Sequence, residues 1–141
     1  MQERSSLPSS NCIDTTSTLT VEIDNLRNYL GKVYVSLFAD GKGFPHNAKN
    51  AVQVKIVEIT DIPLIIKFDR LQPGDYAIAL IHDENGDGKL NCNILGIPTE
   101  GFGFSQNPPL RIGSPKFQET MFPVSGANTT IRIKVIYLLG G

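Results

Sequence analysis

Apolar residues in this chain recur at every second position, in one short run after another. Leu19, Val21 and Ile23 alternate with Thr20, Glu22 and Asp24. Val33, Val35 and Leu37 follow Gly31, and Val52, Val54 and Ile56 repeat the period, as do Tyr76, Ile78 and Leu80. Ile131, Ile133, Val135 and Tyr137 do so against Arg132 and Lys134. Successive strand side chains point to opposite faces, so each run buries one face and wets the other. Residues 62–68 add a further run. Its Pro63 belongs at a strand start or on an edge, because proline cannot donate to a ladder. Turn-forming segments fall between the runs: Asp40-Gly41-Lys42-Gly43, Gln72-Pro73-Gly74-Asp75 and Ser125-Gly126-Ala127-Asn128. The pattern predicts an all-β fold, an antiparallel β-sandwich of about seven strands, with Val35, Leu37, Tyr76, Ile78, Leu80, Ile131 and Ile133 in its core. Residues 25–30 and 43–50 each offer a short turn and little more.

Residues 1–16 carry no such period. They are rich in Ser, Thr, Asn and Pro and are expected to form a polar, disordered tail ahead of one sandwich domain over residues 17–141. A chain of 141 residues is the size of one domain and long enough to bury a core. A net charge of −1 leaves no electrostatic footprint for a polyanion, which argues against nucleic acid as a partner. No apolar run is long enough to span a bilayer, and no signal-peptide apolar region is present.

The run from His82 to Asn91 reads H-D-E-N-G-D-G-K-L-N. Asp83, Asn85 and Asp87 stand at alternate positions, Gly88 follows, the Lys89 carbonyl comes next, and Asn91 closes the set. Oxygen ligands at positions 1, 3, 5, 7 and 9 around a glycine at position 6 are the front half of a calcium loop. The same residues spell Asn-Gly and Asp-Gly, strong signals for a tight hairpin turn. Position 12, which brings a bidentate carboxylate, is Ile94. Calcium is therefore the one cofactor the chain suggests, bound weakly, at roughly 10⁻⁴ to 10⁻³ M. A third carboxylate comes only if the chain folds back to bring Glu100 over.

From Ile94 to Ser114 glycine and proline interrupt the pattern, and Phe102 and Phe104 lie between glycines. A stretch of this length without a clear strand signal is either a binding loop or one pinned by its own side chains. His82, Glu100, Phe102 and Phe104 are the candidates for such a loop, with Phe102 and Phe104 as stacking platforms or as plugs in the end of the sandwich. Cys12 and Cys92 can pair in an oxidising compartment, closing a loop of about 80 residues worth at most ~4 to 5 kcal/mol; in a reducing one they are free thiols. Catalytic patterns are missing: no C-x-x-C, no G-x-S-x-G elbow and no phosphate cradle.

Residues 71–80, the run H-D-E-N-G-D-G-K-L, and then G-I-P-T-E-G-F-G-F-S over residues 96–105 resemble the core of an uncharacterised family of small secreted bacterial proteins. The likeness runs from about Thr18 to the C-terminus. It implies an immunoglobulin- or transthyretin-like sandwich, exported to the periplasm or beyond, with no known activity. Two functions follow as expectations. One is a noncatalytic exported module binding calcium weakly, or a cell-envelope protein or glycan, through residues 83–105. The alternative is a small enzyme or carrier using a polar cluster of His82, Asp83 and Glu100.

Overall fold

The alternating runs become strands in the computed structural model, which describes residues 15–86, 100–110 and 113–138. Eight strands form among them: β1 (Ser17–Asp24), β2 (Lys32–Phe38), β3 (Gln53–Glu58), β4 (Leu64–Leu71), β5 (Gly74–Asp83), β6 (Gly101–Phe104), β7 (Phe122–Val124) and β8 (Asn128–Lys134). Among the described residues helix is confined to a 3-10 turn at Ala48–Asn50 and one turn of α-helix, α1 (Phe117–Thr120). The strands make two sheets, one ordered β4-β1-β8 and the other β3-β2-β5-β6, with β7 pairing β5 beyond the end of β6. The architecture is the expected sandwich. One pairing departs from the antiparallel expectation: β1 and β8 run parallel, in register from Thr18–Asn128 to Asp24–Lys134.

The core lies between the sheets. Leu19, Val21 and Ile23 of β1, Val33, Val35 and Leu37 of β2, Ile78 and Leu80 of β5, and Ile133 of β8 are buried there with Phe68. Ile131 differs from expectation. It packs against this core but stays partly exposed, because β8 is an outer strand of its sheet. Tyr76 is buried and donates from its hydroxyl to the Gln72 carbonyl at 2.6 Å, the tyrosine corner of Greek-key sandwiches. Burial raises its pKa.

Two strands invert the sequence expectation. On β3 it is Val54 and Ile56 that face solvent, while Gln53, Lys55 and Val57 turn toward the core side. The ammonium of Lys55 lies 5.3 Å from the centre of the Phe68 ring, so its stem closes the open edge of the sandwich while its charge stays outside. The second is β6, where a loop was expected. Its inward positions are Gly101 and Gly103, both buried, and its outward ones are Phe102 and Phe104. A Cβ on Gly101 would stand 2.5 Å from the Tyr137 ring and 2.7 Å from Val135, and one on Gly103 2.9 Å from Ile133. The glycines let the C-terminal segment press directly onto the backbone of β6. Where β6 ends, Ser105 takes over the ladder: the Ile78 amide donates to its hydroxyl at 2.9 Å, and that hydroxyl donates to the Thr120 carbonyl at 2.6 Å.

Candidate functional site

Three chain segments meet at the end of β5, and each is steered there by its own sequence. After β8 the chain leaves the three-stranded sheet. Val135 still donates to the Asp24 carbonyl, but Ile136 exchanges both backbone hydrogen bonds with Phe102 of the other sheet. Crossing over in this way delivers Tyr137 above Gly101. The segment joining β1 to β2 turns at Asn25, which has φ of 68°, and Asn25 clamps the crossing by donating from its side-chain amide to the Val135 carbonyl at 2.8 Å. The same segment ends at Gly31, also left-handed with φ of 64°. Gly31 lies so close to the Asp83 carbonyl that a Cβ there would come within 1.8 Å of the oxygen. Only glycine lets residues 25–31 lie against the start of the acidic run.

His82 is the centre of this junction and is fully buried. Its Nε2 is 2.8 Å from the Leu30 carbonyl, which can only accept, so Nε2 carries a proton. In the neutral ring Nδ1 then accepts from the Tyr137 hydroxyl at 2.7 Å, and the Tyr137 oxygen accepts from the Arg27 backbone amide at 3.1 Å. The Arg27 guanidinium sits 4.3 Å over the Tyr137 ring and forks onto Glu84, Nε to Oε2 at 3.2 Å and Nη2 to Oε1 at 2.7 Å. The Asn28 side-chain amide adds a bond to Glu84 Oε2 at 2.6 Å. The bond from Arg27 holds the Glu84 carboxyl below the ordinary carboxylate range and holds the Arg27 guanidinium above its own. Burial raises the Tyr137 pKa.

Asp83 and Glu100 complete the end. Asp83 is fully buried, and its Oδ1 accepts from the Gly86 amide at 3.1 Å, closing the turn that the Asn-Gly pair predicts. Glu100 does fold back: its Oε2 accepts from the Glu84 and Asn85 amides at 2.8 and 3.2 Å, and the residue is 5% exposed. So Asp83, Glu84, Asn85 and Glu100 come together. Phe102 and Phe104 do not join them. They lie on the outer face of β6 as strand residues, 6.0 Å apart between ring centres. Asp87, Lys89 and Asn91 of the candidate loop, and Cys12 and Cys92 of the candidate disulfide, lie outside the described residues. Among the described residues no group of three or more His, Cys, Asp or Glu is gathered as a metal cage.

Sequence reasoning missed Arg27, Asn28, Gly31 and Tyr137. Only Tyr137 carried a signal, as the last member of an alternating run; the others sit in a connection without period. It also missed His46 Nε2 at 2.6 Å from the Ser114 hydroxyl. Both are exposed, and among the described residues nothing orients the other ring nitrogen, so the serine lacks the fixed base that activates a nucleophile.

The family model for uncharacterized proteins conserved in bacteria (DUF2141) matches residues 21–132. The chain belongs to that family. The match takes in all strands but the outer ends of β1 and β8, and it takes in the whole acidic run. No curated protein and no solved structure matches the chain.

Proposed function

We propose that this chain is a noncatalytic exported module whose end between Asp83 and Glu100 takes up calcium weakly. The observation that supports the cation is Glu100. The sequence lacks a carboxylate at position 12 of the loop, and the returning chain seats one against the backbone of the third residue instead. With Asp83 and Asn85 it brings two carboxylates and an amide to one turn, a hard oxygen set suited to calcium. Against catalysis stands His82: both ring nitrogens are engaged and no part of the residue is exposed, so it offers a substrate neither a base nor an acid. Export rests on the resemblance to secreted proteins, and fractionation of the native host tests it.

Calcium titration followed by melting temperature tests the cation. A rise at millimolar calcium is expected, absent with Glu100→Gln. Glutamine keeps an oxygen acceptor for the two amides while it removes the charge and one carboxylate oxygen, so the fold should survive. No rise in the unaltered protein leaves Glu100 as a cap on the turn and nothing more. A second reading, contact with an envelope protein or glycan, is favoured by Tyr29 and Leu30. They stand 61% and 60% exposed on a segment fixed by the Leu30–His82 and Asn28–Glu84 bonds.

A further inference from the structure

The outer face of the five-stranded sheet is apolar where a sandwich face ought to be polar. One row across it reads Ile56–Tyr34–Ile81–Phe102 and the next Val54–Ser36–Ala79–Phe104. All eight side chains are partly or well exposed, Ile56 at 54% and Val54 at 44%. Among the described residues an aromatic cap covers one end of the face. There Phe38 is buried under Phe44, edge-on at 5.2 Å, and Phe44 in turn meets Phe117 of α1 at 6.1 Å. At the other end the row Glu58–Lys32–Asp83 bounds the patch, Glu58 and Lys32 exposed and Asp83 buried beneath its own turn. The largest apolar patch on a monomeric domain is commonly a few hundred Å² and is often functional, and larger ones mark contact surfaces.

We propose that a second copy of this chain docks on this face, sheet against sheet, about a two-fold axis. The two rows carry the argument. The first is a ridge of four large side chains, and the second is a trough, small at Ser36 and Ala79. A two-fold axis lying between the rows and across the strands turns one copy over and exchanges the rows. Each ridge then enters the partner's trough, Tyr34 over Ser36, Ile81 over Ala79 and Ile56 over Val54, with Phe102 against Phe104. The surface is thus complementary to itself, as an isologous contact requires. Edge pairing through β3 is disfavoured, since Lys55 turns inward at that edge, a device that blocks strand addition. The patch offers on the order of 500 Å² per copy, about 1,000 Å² in all, the low end for a specific interface. A weak, reversible dimer follows, to be sought at roughly 10⁻⁵ to 10⁻⁴ M chain.

Sedimentation equilibrium of the full chain across that concentration range tests it, with circular dichroism to confirm folding of each variant. The mass should rise from monomer toward dimer. Ile56→Asp enters a two-fold interface twice and should weaken association at least tenfold, while Ile65→Asp, 50% exposed on the other sheet, should leave it unchanged. Ser36→Leu separates fit from stickiness: filling the trough weakens the docked pair, whereas indiscriminate apolar contact would strengthen. Monomer at every concentration overturns the proposal, including the case where the chain instead floats with phosphatidylcholine–phosphatidylglycerol vesicles. Equal loss from Ile56→Asp and Ile65→Asp, or tighter association of Ser36→Leu, overturns it as well.

Discussion

The two sheets share one core and differ on their outer faces. Outside the three-stranded sheet Thr20, Glu22 and Asp24 of β1 stand beside Ile65 and Lys67 of β4 and Thr130, Arg132 and Lys134 of β8, with half-exposed Ile65 the one large apolar side chain among these eight. Arg132 bonds Glu22 at 2.8 Å and lies 3.9 Å from Asp24. That face is finished in water. The face outside the five-stranded sheet presents Ile56, Tyr34, Ile81 and Phe102 at the corresponding depth. The same alternation rule therefore gives a wet face on one sheet and a contact face on the other. Period alone says which residues share a side. Chemistry on both sides says which side is spoken for.

The inner faces are common to both sheets, so the largest effect belongs there. Ile78 is fully buried in β5, and Ile78→Asp should unfold the domain, costing about 4 kcal/mol or more for an unpaired buried charge. Chemical denaturation checks it. A folded variant would mean the sheets are held by something other than the shared core.

Next comes the connection that ties the sheets at the acidic end. Gly31→Ala puts a methyl group into the Asp83 carbonyl at a left-handed position, and the backbone must move. The expected loss is about 2 to 4 kcal/mol. Chemical-shift changes should concentrate at Asp83, Glu84 and Leu30 and spare the outer face of the three-stranded sheet.

How far these positions could be read from the sequence depends on where the information sits. β1, β2, β5 and β8 were legible because their inward residues are large and their outward ones differ from them. β6 was not, because its inward residues are glycines, and a strand that buries its backbone against Val135 and Tyr137 shows the opposite pattern from one that buries side chains. β3 was legible as a strand but not in its facing: Val54 and Ile56 alternate correctly, yet Lys55 takes the inner side by covering Phe68 with its stem. The polar junction was legible only as far as His82, Asp83 and Glu100. Their partners Arg27, Tyr137 and Leu30 are more than fifty residues away in the chain, and single-sequence spacing holds no record of that pairing.

Glu84 supplies a smaller, pH-dependent effect at the same junction. Its carboxyl is held low chiefly by the bond from Arg27, so its folded pKa lies below the unfolded one. The stabilisation is then full above the ordinary carboxylate range and disappears as pH falls through the folded value. Glu84→Gln should cost about 1 to 2 kcal/mol at neutral pH. The gap between the melting temperatures of the two proteins should close in acid. A gap that persists there would assign the loss to packing of Arg27 and Asn28.

The smallest effect lies on the wet face and sharpens the contrast most. Arg132 is the exposed partner in its pair with Glu22, with two-thirds of its side chain in solvent. A charge pair in that setting gains little, because water solvates both groups nearly as well apart as together, and salt screens what remains. Glu22→Gln should therefore move the melting temperature only slightly, and less again in 1 M salt. It should leave the sedimentation profile unchanged. Ile56→Asp is the mirror case: its monomer should melt almost as the unaltered protein does, since a half-exposed edge residue contributes little to the fold, while self-association is lost. Thermal melts at low and high salt, run beside sedimentation of the same two samples, read both columns at once. If Glu22→Gln altered association as much as Ile56→Asp, the two outer faces would not divide their work between water and a partner.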